Sequence, residues 1–187
     1  LSAVQRIFSA NGLAVFDVQA LTTHGGSLRV FAQRLDAGSQ PLGPGVAKVL
    51  DEERAGGVLG AGFYTGFQSQ AQRVARELLS FLVRSADQGA RVAAYGAAAK
   101  GNTLLNFAGV RPHLLSYVVD KNPAKQGKFM PGSRIPIVDE EHLRAHRPSH
   151  VVILPWNLKD EVMGQLAYVR EWGGRFVTAV PGLREWP

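Results

Sequence analysis

The sequence of 187 residues contains no cysteine. Disulfide bonds and thiolate metal sites are therefore excluded, and the composition fits a reducing, cytoplasmic location. The chain also has no run of about 20 apolar residues, so no membrane-spanning helix is predicted. Residues 1–6 have neither an initiator methionine nor the pattern of a signal peptide. Because they fall inside an amphipathic helical pattern, we expect the chain to be part of a longer protein.

Charge and histidine content narrow the choice of ligand. The formal net charge of +6 suits an anionic partner. Lysine and arginine are scattered, however, and no helix-turn-helix or aromatic RNA-binding pattern occurs, so nucleic-acid binding is not predicted. His142 and His146 are four residues apart, but they alternate with Glu141 and Arg144 on a predicted solvent-exposed helix. We therefore predict no metal site.

A strand, a glycine turn and a helix follow one another in residues 91–103. Residues 92–95 form an apolar run typical of a buried strand, and Gly96 permits a tight turn. A helix is predicted from about Lys100, and its first N–H groups, together with the helix dipole, favour an anion. Gly101 leaves room for a phosphate near the backbone, and Lys100 adds positive charge. The alternative is a tight turn that binds no ligand.

An acidic residue ends the next predicted strand. Residues 117–119 are apolar and lead to Asp120, 24 positions beyond Gly96 and so near the roughly 20 expected for the acid of a dinucleotide-binding fold. This is the spacing of an acid that accepts a hydrogen bond from a ribose hydroxyl.

From residue 91 onward, predicted strands alternate with predicted helices. This order favours a parallel sheet with helices on both faces, a Rossmann-like α/β fold. Ligands of such sheets bind beyond the carboxyl ends of the strands. The loops at residues 96–102, 120–128 and 155–157 all lie there, so we expect them to converge on one site.

The rest of the chain divides into three predicted regions. Residues 1–36 show a helix and two strands, at about 13–18 and 28–32, which cannot bury a core alone. Residues 37–62 are rich in glycine and proline and indicate a linker around a short helix at 46–54. Residues 63–187 form the Rossmann-like domain. It should open with an amphipathic helix at 67–84 and close with a helix at 158–172 and a strand at 176–180.

Four segments carry a resemblance to a known family. They are residues 23–30 (Thr-His-Gly-Gly-Ser-Leu-Arg-Val), 95–103 (Tyr-Gly-Ala-Ala-Ala-Lys-Gly-Asn-Thr), 119–127 (Val-Asp-Lys-Asn-Pro-Ala-Lys-Gln-Gly) and 155–157 (Pro-Trp-Asn). Together they resemble the C-terminal part of sugar C-methyltransferases. These enzymes depend on S-adenosylmethionine and methylate a carbon of a keto sugar carried on a nucleoside diphosphate.

The resemblance implies a protein in three parts: a zinc-binding N-terminal domain, a methyltransferase domain and a C-terminal Rossmann-like domain. This chain lacks the cysteines of the first, as well as the glycine-rich S-adenosylmethionine loop and the catalytic segment with His and Glu. Residues 1–36 would then be the last helix and strand pair of a class I methyltransferase domain. We expect the parent protein to use S-adenosylmethionine, and this chain alone to bind neither that cofactor nor a metal and to be inactive.

The resemblance also implies roles for individual residues. Lys100, Gly101 and Asn102 would contact the diphosphate, and Lys121 and Lys125 would either close over the phosphates or form a solvated basic loop. The full predicted substrate-binding set is Gly96, Lys100, Gly101, Asn102, Thr103, Asp120, Lys121, Asn122, Trp156 and Asn157.

Two side chains have open alternatives. His24 would either face the reacting sugar, as the one possible catalytic residue, or bond to its own turn. Trp156 would either stack on the nucleotide base or pack in the core.

Two other functions remain open. An NAD(P)-dependent oxidoreductase domain would use the same turn and Asp120, but Ala98 stands where the second glycine of Gly-x-Gly-x-x-Gly belongs. A non-catalytic module that senses a sugar nucleotide is the third possibility. The helix, strand, strand order at the start of the chain favours a severed methyltransferase over that module.

Overall fold

The computed structural model describes residues 1–23 and 26–187. Within it the chain divides into two compact units, Leu1–Phe67 and Gln68–Pro187. Among the described residues, no helix is both long and apolar enough to cross a membrane.

The first unit is a helix followed by a β-hairpin and a second helix. Its elements are α1 (Ser2–Ala10), β1 (Leu13–Leu21), β2 (Ser27–Arg34) and α2 (Pro44–Ala55). The predicted helix and two strands are all present, and both strands are longer than expected because β1 and β2 pair with each other antiparallel. Gly12, at a φ of 74°, makes the turn between α1 and β1.

The short helix predicted at 46–54, within the linker, is present as α2 and begins two residues earlier. It starts with Pro44, a residue that suits the first turn of a helix because it has no N–H to satisfy. Val46 on this helix is 2% exposed and packs with Val15 and Val18 of β1. Part of the predicted linker therefore contributes to the core of the first unit.

The second unit contains a six-stranded sheet with its helices. Its elements are α3 (Phe67–Asp87), β3 (Val92–Tyr95), α4 (Ala99–Phe107), β4 (Val118–Val119), β5 (Ile137–Val138), α5 (Glu140–His146), β6 (His150–Ile153), α6 (Lys159–Gln165), β7 (Arg175–Thr178) and β8 (Arg184–Trp186). The strand order is β5-β4-β3-β6-β7-β8; the first five strands are parallel, and β8 is antiparallel to β7. The predicted Rossmann-like sheet is confirmed.

Both faces of this sheet are buried. Along β3, Val92 and Ala94 join a core cluster with residues of α3 and α4, whereas Ala93 and Tyr95 join a second cluster with residues of α5 and α6. Successive side chains of a strand point to opposite faces, so a strand covered on both sides is apolar throughout. The continuous apolar run at residues 92–95 has this cause.

Two elements differ from the predictions. The helix expected over residues 158–172 ends at Gln165 and continues as a 3₁₀ segment, Ala167–Trp172. There the Val169 N–H donates to the Leu166 carbonyl, and the guanidinium of Arg170 donates to the carbonyl of Met163 (3.2 Å), one of those left free at the end of α6. The final strand β8 was not predicted at all.

Candidate functional site

The strand order places a crevice at the centre of the sheet. From β3 the chain continues to β4 on one side, whereas β6 lies on the other side of β3. The connections that leave the carboxyl ends of β3 and β6 therefore diverge, and such a point is where Rossmann-like sheets bind ligands. The turn of residues 96–98 follows β3, and residues 154–157 follow β6.

Three predicted site residues meet at this crevice. The Lys100 ammonium donates a hydrogen bond to Oδ1 of Asn157, and its Nζ lies 5.3 Å from the ring centroid of Trp156. Lys100 belongs to the first turn of α4, whereas the other two residues follow β6. We call Lys100, Trp156 and Asn157 the lysine cluster. Trp156 is half-buried and also packs against the core, so both roles considered for it fit its position.

Gly96 is required by conformation and by space. Its φ is 94°, in the left-handed region that favours glycine, and a Cβ there would lie 2.5 Å from Cδ of Pro155. The turn after β3 can therefore press against the loop after β6 only with glycine at this position.

Gly101 is required for a different reason from the one predicted. It is buried, and a Cβ added to it would lie 2.6 Å from Cβ of Leu154. Its missing side chain lets α4 approach the end of β6, so the space that we expected for a phosphate is occupied by Leu154.

Asp120 fastens the loop after β4 to the turn after β3. Its Oδ2 accepts hydrogen bonds from the Ala97 N–H (2.8 Å) and from Nζ of Lys125 (3.1 Å), and its Oδ1 accepts one from the Asn122 N–H (2.9 Å). Lys125 also donates to the Ala97 carbonyl at 2.9 Å. Asp120 is 9% exposed, so most contacts of its carboxylate are with the protein.

A cleft of about 410 Å³ lies beside the turn. One wall is the turn and the start of α4, and the other is the segment after β4. The lining residues are Ala97, Ala98, Ala99, Asn102, Lys125, Lys128, Phe129, Met130, Pro131 and Ile137. The cleft and the lysine cluster thus border the same turn.

The hairpin that forms the outer wall of the cleft was not predicted from the sequence. Phe129 faces Pro136 in an isolated antiparallel bridge, and the Met130 N–H donates to the Ile135 carbonyl at 2.8 Å. Together, residues 128–137 form a small hairpin, and Phe129 is 57% exposed on it. The dipeptide Pro131-Gly132 was the available signal, because such pairs mark turns between extended segments.

The remaining predicted residues make local contacts. Nζ of Lys121 donates to Oε1 of Gln165 (3.0 Å), Oδ1 of Asn122 accepts from the Ala124 N–H (2.9 Å), and Oγ1 of Thr103 donates to the Ala99 carbonyl (3.1 Å). None of Lys121, Asn122 and Thr103 lines the cleft. His24 lies outside the described residues.

Tyr95, at the carboxyl end of β3, holds its proton firmly. Burial first, and then the charges of Glu140, Asp120 and Glu161, raise the pKa of this phenol to about 12. Its hydroxyl donates to Gln165 (3.4 Å), the same side chain that accepts from Lys121. Within residues 1–23 and 26–187, no three His, Cys, Asp or Glu side chains gather closely enough to hold a metal ion.

Comparison with known proteins decides the family. The family model described as the C-methyltransferase C-terminal domain matches residues 22–181. The chain belongs to this family. The matched range of the C-methyltransferase C-terminal domain includes the turn, the cleft and the lysine cluster.

A relative supports the same assignment. The C-methyltransferase NovU of Streptomyces niveus is 35% identical over 181 residues, which cover 97% of this chain and 43% of the relative. The chain therefore spans less than half the length of this relative.

Proposed function

We propose that this chain is the substrate-binding part of an S-adenosylmethionine-dependent C-methyltransferase that acts on a nucleoside-diphosphate keto sugar. Its own share of the work is to bind the nucleotide and to present the sugar. Family membership supports the methyltransferase assignment. The observation that carries the binding role is the lysine cluster at the start of α4, in the crevice where the strand order reverses.

The start of α4 offers hydrogen-bond donors to a diphosphate. No side chain caps this helix, because its N-cap residue is Ala98. The N–H groups of Ala99, Lys100 and Gly101 have no acceptor within the helix, since the first intrahelical bond is donated by Asn102 to the Ala98 carbonyl. These three amides, the helix dipole and the Lys100 ammonium would together bind the negative charge. Gly96 shapes the turn that leads into this end of α4.

The nucleoside and the sugar would lie at opposite ends of the diphosphate. Trp156 offers its exposed face to the base, and Asn157 keeps its amide N–H donors for a phosphate or a sugar hydroxyl. A ribose hydroxyl would donate to Oδ1 of Asp120, which accepts a single hydrogen bond from the described residues. Asn102 lines the cleft, where it would contact the second phosphate or the sugar.

In this proposal, residues at the edge of the site contact only the outer parts of the ligand or position other groups. Lys121, Asn122 and Thr103 would contribute only if the ligand extended beyond the cleft. His24 would face the reacting sugar and is the one catalytic candidate in the chain. Lys125 already holds the turn through Asp120, so it would act by positioning the amides.

The rest of the reaction belongs to the remainder of the parent protein. Methylation beside a ketone requires a base to remove the adjacent proton and a donor that stabilises the enolate. S-adenosylmethionine would supply the methyl group, bound in a separate domain preceded by a zinc-binding domain. We propose a cytoplasmic enzyme, and we expect this chain alone to transfer no methyl group.

Calorimetry with thymidine diphosphate and uridine diphosphate tests the binding role. We expect micromolar binding and chemical-shift changes at residues 96–103. Lys100→Ala should weaken binding roughly tenfold, because it removes a charge-assisted hydrogen bond worth about 1–2 kcal/mol at a partly exposed site. Lys48→Ala, which removes an exposed charge on α2, is the matched control and should have no effect.

Two results would refute this proposal. One is the absence of heat and of shift changes with every nucleoside diphosphate tested. The other is tight binding of NADH, followed by its fluorescence, which would favour the oxidoreductase alternative.

A further inference from the structure

A second groove, of about 870 Å³, runs along helix α3 and is separate from the site described above. One wall is the polar face of α3, and the other is the segment of residues 181–184, which leads into β8. Four of the residues that line it are arginines: Arg73, Arg76, Arg84 and Arg184. None of the lysine cluster or of the cleft residues belongs to it.

Most of this positive charge is unpaired. Among the described residues, the side chains of Arg76, Arg84 and Arg184 form no hydrogen bond and no ion pair, and all three are exposed. Glu77 is the one acid in the lining, and its Oε2 accepts the Leu183 N–H at 3.1 Å. Its Oε1 lies 3.8 Å from Nε of Arg73, so this carboxylate joins the two walls and pairs with one arginine, and the other three arginines keep no acidic partner among the described residues.

The arrangement of the arginines sets the shape of a suitable ligand. Arg73 and Arg84 are separated by three turns of α3, which corresponds to about 16 Å along the helix axis. An extended peptide advances about 3.3 Å per residue, so about five residues span this distance. A single phosphate would reach one or two guanidinium groups and would leave the others without a partner.

We propose that this groove docks an extended acidic peptide segment of a partner protein. The planar guanidinium group matches the carboxylates of Asp and Glu in a two-pronged geometry, which an ammonium group does not offer. Exposed arginines arranged in a line also attract an acidic partner before contact. This interaction is independent of the proposed nucleotide binding.

Fluorescence anisotropy with a labelled ten-residue peptide of alternating Asp and Ser tests the proposal on the 187-residue chain. We expect saturable binding that weakens as salt is raised, because exposed charge pairs are screened. A peptide of alternating Asn and Ser should not bind. The variant Arg76→Gln/Arg84→Gln/Arg184→Gln should weaken binding roughly tenfold or more, since each exposed pair contributes about 0.5–1 kcal/mol.

A matched variant separates local binding from overall charge. Arg6→Gln/Lys48→Gln/Arg147→Gln removes the same three charges from exposed positions outside the groove. It should weaken binding less than about threefold, because distant exposed charges are screened. Circular dichroism should confirm that both variants are folded.

Each contrary outcome overturns the proposal. Equal weakening by the two triple variants would mean that net charge alone attracts the peptide. The absence of peptide binding at low salt would exclude the docking role. Binding of a ten-nucleotide oligothymidine in place of the peptide would assign the groove to nucleic acid.

Discussion

Replacement of Gly101 by alanine tests how closely α4 packs on the end of β6. The added Cβ would lie 2.6 Å from Cβ, 2.9 Å from Cδ1 and 3.1 Å from Cγ of Leu154, which is 1% exposed. Overpacking of a core costs about 1–3 kcal/mol. Alanine in place of glycine within a helix gains at most about 1 kcal/mol. Because the nearest contact is with a Cβ atom, which cannot rotate away, we expect Gly101→Ala to lower the free energy of unfolding by about 1–2 kcal/mol.

Urea denaturation followed by tryptophan fluorescence measures this loss. All three tryptophans of the chain, Trp156, Trp172 and Trp186, lie in the second unit, so the signal reports the unit that contains Gly101. The midpoint should fall while the slope with denaturant stays constant.

Gly164→Ala is the matched control for the added methyl group. Gly164 lies in α6, and a Cβ there would meet no atom within 4 Å. Its replacement should stabilise the unit by about 0.5–1 kcal/mol. If Gly101→Ala stabilised the protein as Gly164→Ala does, the close packing of α4 on Leu154 would be refuted.

A double variant assigns the loss to the contact itself. Leu154→Ala alone should cost about 2–5 kcal/mol, because it opens a cavity in the core. In combination with Gly101→Ala the two losses should be less than additive by about 0.5–1 kcal/mol, since Leu154→Ala removes the contacts with Cγ and Cδ1 while the contact with Cβ remains. Strict additivity would mean that the new methyl group does not meet Cγ and Cδ1 of Leu154.

Three further changes have defined outcomes. Asp120→Asn should lower the free energy of unfolding by about 1–3 kcal/mol, because the amide has a single acceptor oxygen and one of the two backbone N–H groups now bound by the carboxylate loses its acceptor. Asp160→Asn, at an exposed site, should change it by less than about 0.5 kcal/mol. Asp139→Ala removes the cap that accepts the His142 N–H at 2.8 Å and should cost about 1 kcal/mol in the same assay. Burial lowers the pKa of His150 below its usual 6.5, so the unfolded chain binds the proton more readily. Its contribution to stability is therefore complete above pH 6.5 and is lost as pH falls through and below that value, and in denaturation curves from pH 8 to 5 His150→Gln should reduce this loss.

The sequence predicted the sheet because the apolar pattern of its strands is local. Apolar runs of four buried residues, at 92–95 in β3 and at 151–154 at the end of β6, are typical of strands covered on both faces, and each run is followed by a glycine or proline turn. The meeting of Lys100 with Asn157 was likewise predictable, because the carboxyl ends of parallel strands share one edge of the sheet.

What the sequence could not show depends on contacts between distant segments. The requirement for Gly101 comes from Leu154, more than 50 residues away, and the same glycine would equally suit an exposed phosphate-binding turn. The strand β8 has three residues, two of them charged, and lies at the edge of the sheet, so it carries no apolar pattern. The end of α6 could not be predicted either, because the apolar spacing at 158–172 continues through the 3₁₀ segment.

The two walls of the cleft differ in how freely they can be altered. On the inner wall, Gly96 packs against Pro155 and Gly101 against Leu154, both of which follow β6. Substitutions made there to change the ligand would therefore also destabilise the fold. The outer hairpin, residues 128–137, presents Phe129 and Lys128 to solvent. Laboratory evolution of a different ligand preference should therefore begin at these two positions, where new side chains can be tried without repacking the buried Met130 and Ile135 of the same hairpin.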